Sequence, residues 1–527
     1  MARALFVYGG PIHTMSGAGC VEAMLVMNGR VEAVGRKDQI ESVLPPHCES
    51  VRLDRRAVFP GMQDCHIHMN GWAMGRRQVD IKNTRTVEEA LKIIEKAAAK
   101  TPAGQWITGG RWDMSIWSRF PTRDELDRVS LGHPMFLSSK DGHSGWANGL
   151  ALELAGITAG TQAPAGGAIL RDSDGKPTGV LQDAAKGLVS AHIPPTSTDE
   201  LTDAVAEGIK HLQSLGLTGA HVVDGVRGFQ VAQNLHEKGL LDFRIAACLP
   251  NAALKEAIAA GLRQGYGNDY VFLGPITMFK DGALGSKTAH MLEPYEGRPG
   301  HRGLEVMTNE GLSEAVGGAV GARFGVGVHA IGDLACRDTL DVLERFAAES
   351  KKMGLRHRIE HAQVLSERDV PRFGALGVIA SVQPSHVVAD RYMADRDWGK
   401  RSRWAYPFES LRKSGAVLAF GSDGPVDNPD PIYGIHCAVN RNAVGEGEDL
   451  SWYPEERVSV ETAIWAYTVG AAYSVGRENL FGDLSSGKAA DFVVLSRDLI
   501  DIPKEEIKTA EVCATVVGGK FVHGPDW

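Results

Sequence analysis

Asp64-Cys65-His66-Ile67-His68 follows an apolar run and precedes a glycine-containing break. Residues two apart on a strand share a face, so His66 and His68 present two imidazoles close enough to hold one metal ion. One such pair is weak evidence by itself, because any two histidines separated by one residue fit the pattern. Its weight comes from the segments that follow. Apolar strand candidates stand at residues 58–66, 217–224, 243–249, 275–281, 326–331, 358–365, 378–383 and 417–423, alternating with helical segments. That is the pattern of a parallel sheet with crossover helices. Eight such strands predict an α/β chain with a (β/α)8 TIM barrel, whose functional groups lie at the C-terminal strand ends.

Outward from this core, residues 1–57 read as short strands, with Asn28-Gly29 as a hairpin turn. Residues 471–527 have the same character, as in the run 490–495. Neither set has enough apolar surface for its own core, which predicts one small β-sandwich built from both termini. The barrel then occupies residues 58–70 and 205–470. The long gap after its first strand is an insertion, residues 71–204, with five tryptophans (Trp72, Trp106, Trp112, Trp117, Trp146) and a hairpin-like stretch at 166–179. An insertion after the first strand is expected to act as a lid over the active face.

Composition narrows the function classes. The chain has 527 residues, 43% of them apolar and 23% charged, too many for one compact core of ordinary size. A net charge of -9 without a Lys/Arg block argues against nucleic acid. No apolar stretch is long enough for a bilayer, and the first residues lack the features of a signal peptide. The expectation is a cytoplasmic protein with a small-molecule substrate and no membrane partner. Seven scattered cysteines without a CxxC fit reduced thiols.

Around the first pair, the later strand ends bring His329, His361 and Asp423, together with a lysine-containing segment. Such nitrogen and oxygen donors at one barrel mouth suit one or two metals such as Zn2+, with Asp423 placed to take a proton from water. No phosphate-binding GxxxxGK[ST] or GxGxxG stretch supports nucleotide use, and Gly-Ser-Asp-Gly at 421–424 does not match the GxSxG elbow of serine hydrolases.

The chain resembles the metal-dependent amidohydrolase superfamily, in the branch that includes N-substituted formamide deformylase. The resemblance rests on FPGMQDCHIH (59–68), DGHSGWAN (141–148), FKDGALGSKTA (279–289), VHAIGD (328–333), RIEHAQ (358–363), QPSH (383–386), FGSDGPV (420–426) and GKAADFVVL (487–495). It implies a distorted barrel with a two-termini β-sandwich, His66, His68, His329 and His361 as metal ligands, and Asp423 as ligand and general base; relatives often pair as homodimers. In relatives a lysine four residues before the Asp-Gly pair is carboxylated and bridges two metals. Here that position is Thr277, and Lys280, beside Asp281, is the candidate replacement ligand.

Trp72, Trp112, His143, Trp146, His386 and Arg441 are the candidate substrate-binding residues, since small-molecule pockets combine apolar walls with a few directional polar groups. Asp281 and Ser286 are expected to shape the rim, and Asp333 or Glu360 to orient an imidazole. Strand alternation speaks against Glu360, which it turns away from the face of His361. The favoured activity is hydrolysis of a non-peptide C–N bond in an amide, N-acyl, formamide or cyclic amide group. The alternatives are an esterase, a lactonase or another hydrolase with the same site, or a non-catalytic small-molecule-binding barrel.

Overall fold

Eight parallel strands form the centre of the computed structural model, which describes residues 4–525. In chain order they are β1 (Met62–Ile67), β2 (Leu217–Val222), β3 (Arg244–Pro250), β4 (Val271–Phe279), β5 (Val326–Ala330), β6 (Arg358–His361), β7 (Ile379–Val382) and β8 (Leu418–Phe420). Each pairs with the next, in the order expected of a distorted TIM barrel. Closure between β8 and β1 comes at their C-terminal ends. Asp423 N–H donates to His66 O at 2.7 Å and His68 N–H to Gly424 O at 2.9 Å.

Asp64 is the clamp at this seam. One of its carboxylate oxygens, Oδ1, accepts from the backbone N–H groups of His66 and Ser422, and the other accepts from the Ser422 hydroxyl at 2.5 Å. Burial nevertheless pushes its carboxyl up to about 6. The strands approach so closely that a Cβ on Gly421 would lie 2.6 Å from His66 N and 2.8 Å from Asp64 Oδ1. Gly421→Ala is therefore expected to force the seam apart and cost about 2 kcal/mol, the usual penalty of overpacking. Thermal unfolding reads it as a midpoint several degrees lower, and an unchanged midpoint would contradict the tight seam.

The run at residues 58–66 divides between two sheets. Ala57–Pro60 pairs antiparallel with Phe492–Leu495, and only Met62–Ile67 enters the barrel. Gly61 is the junction, because a Cβ there would come within 2.4 Å of the Thr218 side chain. Strands from both termini join in one connected eight-stranded sheet, the β unit expected to be shared between the two ends of the chain. Ala57–Pro60 is the reason, since it also pairs with Ala4–His13 and so links the N- and C-terminal strands. Leu5, Val7, Val26, Phe492, Val494 and Val516 share its main core. The first C-terminal strand of this sheet is Phe492–Leu495, while the helix Val469–Ser474 packs on the barrel through Ala471 against Cys65, Ile379 and Ala419.

Residues Ala73–Ala204 form a separate compact unit. It contains a six-stranded sheet, including the hairpin of Gly167–Arg171 and Pro177–Asp183, and a helix, Val87–Ala98. Thr86 caps this helix by accepting from Glu89 N–H, and Val87, Ala90, Ile94 and Ala98 form its buried stripe. Among the described residues no helix is long and apolar enough to cross a membrane.

Candidate metal centre

His66, His68 and Asp423 meet where β1 and β8 close. His66 Nε2 lies 3.6 Å and His68 Nε2 3.4 Å from Asp423 Oδ1. Among the described residues these three form the cluster with ligand atoms near enough to share an ion. The β1 ladder slips by one residue between Ala220–Asp64 and Val222–Ile67, so Asp64 turns to the seam while His66 turns to the mouth. Asp423 has a left-handed backbone, φ 58°, which aims its carboxylate at the histidines. His361 adjoins His66, with ring centroids 4.9 Å apart, and His329 adjoins His361 at 4.5 Å. The structure thus brings five of the six expected ligands together.

Each buried imidazole is held through one nitrogen. His66 Nδ1 is 2.9 Å from Glu360 Oε2, His361 Nδ1 is 2.9 Å from Gln383 Oε1, and His329 Nε2 is 3.0 Å from Gly282 O. Because a carbonyl or carboxylate oxygen only accepts, the nitrogen facing it carries the proton and the other keeps its lone pair. Burial lowers the pKa of both His329 and His361, which favours their neutral form. Burial would raise the Asp423 carboxyl, but the facing His68 imidazole and the neighbouring imidazoles of His361 and His66 outweigh it and hold it well below the usual carboxylate range. It is ionised at neutral pH, and its Oδ1 is buried without a hydrogen-bond partner. A buried anionic oxygen facing two imidazole nitrogens is the donor set that a divalent cation satisfies.

Lys280 is not part of this site. Positions 277 and 279 of β4 face the barrel mouth, and Lys280 turns to the other side with the buried Met278. Its Nζ contacts Glu305 at 2.5 Å, Asn309 Oδ1 at 2.7 Å, Met307 O at 2.8 Å and Asp338 at 3.2 Å. Lys280→Met should cost about 3 kcal/mol by stranding these partners, while the metal content of the folded protein stays the same. Elemental analysis that shows metal lost in proportion to Lys280 would reverse this correction.

Three of the six proposed substrate residues have structural roles instead. Trp112 and Trp146 are fully buried, pack through Trp117, and donate their indole N–H groups to Leu137 O and Thr122 O. Arg441 is fully buried, with its guanidinium on the carbonyls of Trp452, Tyr406 and Ala405. These assignments erred because tryptophan is as much a core residue as a wall and a buried arginine can be spent on backbone carbonyls. His143 is exposed in the 73–204 unit, with Nδ1 2.7 Å from Asp183. Trp72 is buried beside Gly424 and stacks on His211. His386 is buried near enough to bear on the Asp423 carboxyl, with Nδ1 3.3 Å from Gln363 Nε2.

The supporting residues also sort themselves. Asp281 accepts backbone N–H groups from His290, Ile331 and Gly332, and lies 3.7 Å from His329 Nε2. Ser286 is exposed and bonds within its loop to Thr288, and Asp333 accepts Leu292 N–H rather than orienting His329. Glu360 orients His66. It can do so because His361 has φ 74° and Ala362 φ 41°, so the alternation of β6 stops at His361 and both side chains reach the mouth. Gln383 was missed, although it opens the QPSH stretch.

Comparison with known proteins agrees with this geometry. The model of the amidohydrolase family matches residues 51–523. The chain is 34% identical to Protein LONG AFTER FAR-RED 3 of Arabidopsis thaliana, over 98% of this chain and 91% of that one. It is 26% identical to N-substituted formamide deformylase of Arthrobacter pascens, covering 95% and 94% of the two chains. A crystal structure of an uncharacterized metal-dependent hydrolase from Pyrococcus furiosus superposes with a TM-score of 0.78 at 26% identity, over 94% of this chain and all of that one. With its barrel, its His-His-Asp cluster and these matches, the chain is a metal-dependent hydrolase that belongs to the amidohydrolase family.

Proposed function

We propose that this chain hydrolyses a non-peptide C–N bond in a small molecule, an amide, N-acyl, formamide or cyclic amide, with Zn2+ as its metal. The observation that carries the reading is the buried Asp423 Oδ1, which has no hydrogen-bond partner and faces His66 Nε2 and His68 Nε2. His66, His68 and Asp423 would hold the cation, with His329 and His361 beside them. A divalent cation there supplies Lewis acidity toward a carbonyl oxygen and toward water. Asp423, ionised and partly desolvated, accepts a proton from the attacking water and returns it to the departing nitrogen. That return favours an amine as leaving group, because an amine must be protonated to depart. Similarity to the formamide deformylase points to the same bond.

An ester- or lactone-cleaving enzyme uses the same groups, since fold and ligands do not choose the bond. A panel of formamides and acyl anilides against aryl esters, assayed with the zinc-loaded protein and again after chelation, separates the two. Chelator-sensitive turnover of the amides is expected. Turnover of esters alone would replace the C–N reading, and binding without any turnover would favour the non-catalytic barrel.

A further inference from the structure

Five metal-binding side chains stand at the mouth, enough in number for two ions, yet the negative charge there is scarce. Two dications a few ångströms apart repel strongly and need an anion between them. The acidic side chains nearest the imidazoles have the following partners. Asp423 faces the imidazoles. Glu360 is engaged by the Arg358 guanidinium at 2.5 Å and by His66 Nδ1. Asp281 is saturated by three backbone N–H groups, and Asp64 by Ser422 and His66 N–H. Asp224, after β2, accepts Asn70 N–H at 2.8 Å. Among the described residues, Asp423 is the carboxylate whose oxygen lies near enough to these imidazoles to share an ion with them.

The wall beside His329 and His361 supplies nothing more. The mouth-facing positions of β4 are Thr277, whose hydroxyl donates to Leu249 O at 3.3 Å, and Phe279, whose ring lies 4.9 Å from that of His329. Lys280, which would need to become an anionic carbamate to bridge, points to the helix layer and is already paired there with Glu305 and Asp338. A hydroxyl bound to backbone and a hydrocarbon ring thus stand where a second ion would need a negative partner.

We infer that this centre takes one divalent cation per chain, seated at the His66–His68–Asp423 corner, and that Thr277 and Phe279 are what prevent a second. His329 and His361 then stand beside that corner, next to the residues that would hold the ion. The inference rests on the metal-dependent reading above and adds the number of ions to it.

The test is metal content with a spectroscopic control. Protein purified without chelator is saturated with Zn2+ or Co2+, desalted, and analysed for metal per chain; the cobalt form is examined by electron paramagnetic resonance. One ion per chain with the signal of an isolated high-spin Co2+ is expected, and Thr277→Val, a mild change that keeps the fold, should leave both unchanged. Two ions with a spin-coupled cobalt signal would overturn the inference while leaving the hydrolase reading intact. A loss of metal in Thr277→Val would overturn it too, by making the hydroxyl a ligand. No bound metal in protein that still turns over substrate would instead remove the metal-dependent reading itself.

Discussion

Asp423→Asn is expected to lower kcat roughly a thousandfold, within the range seen when a positioned acid–base group is removed, on any substrate that the native protein turns over. The argument is local. Asparagine has the same shape and tolerates the left-handed backbone that residue 423 adopts at φ 58°. The backbone bond from residue 423 to His66 O, which helps to close the barrel, does not depend on the side chain. The fold should survive with little change in its melting point. What disappears is the negative charge between His66 and His68, and with it both the proton acceptor and the anionic partner of the cation. Assays at saturating metal separate these two losses, since excess metal restores occupancy but not proton transfer. Retention of more than a tenth of the native kcat under those conditions would show that Asp423 is not the base.

The barrel was legible because β strands buried on both faces are written as short apolar runs, and five of the eight match their strands to within three residues at either end. The first did not, because one apolar run serves two sheets and the change happens at a glycine whose role is steric. His66, His68, His329, His361 and Asp423 were legible for a related reason. A strand end fixes where a side chain emerges, and position along the chain therefore predicts convergence. Lys280 was misplaced where the same rule, applied to Thr277 and Lys280, already put them on opposite faces. Glu360 was undervalued for the opposite reason: the positive φ of His361 breaks the alternation, and nothing in the Arg-Ile-Glu-His sequence announces it. The tryptophans of the 73–204 unit were misread because composition does not say which face of a ring is covered.

Glu360→Gln should weaken metal binding by about 10- to 100-fold, the usual cost of losing the group that orients a ligating histidine. It should also destabilise the fold by about 3 to 5 kcal/mol, because Arg358 is left as a buried charge without its partner. Both follow from one carboxylate with two commitments: Oε1 lies 2.5 Å from Arg358 Nε, and Oε2 lies 2.9 Å from His66 Nδ1. Burial would raise the Glu360 carboxyl, but Arg358 and then His66 outweigh it and hold it at about 2, against an ordinary value of roughly 4.3. A carboxyl depressed on folding contributes stability that is complete above the unfolded value and fades as pH falls through the folded one. The gap in stability between the native protein and Glu360→Gln should therefore be full at neutral pH and close between about pH 4 and pH 2. Denaturant unfolding across that range, with metal affinity measured in parallel at neutral pH, tests both halves. A stability gap that persists unchanged at the acid end would mean that shape, not the carboxylate charge, is what Glu360 contributes; unchanged metal affinity would free His66 from its dependence on this residue.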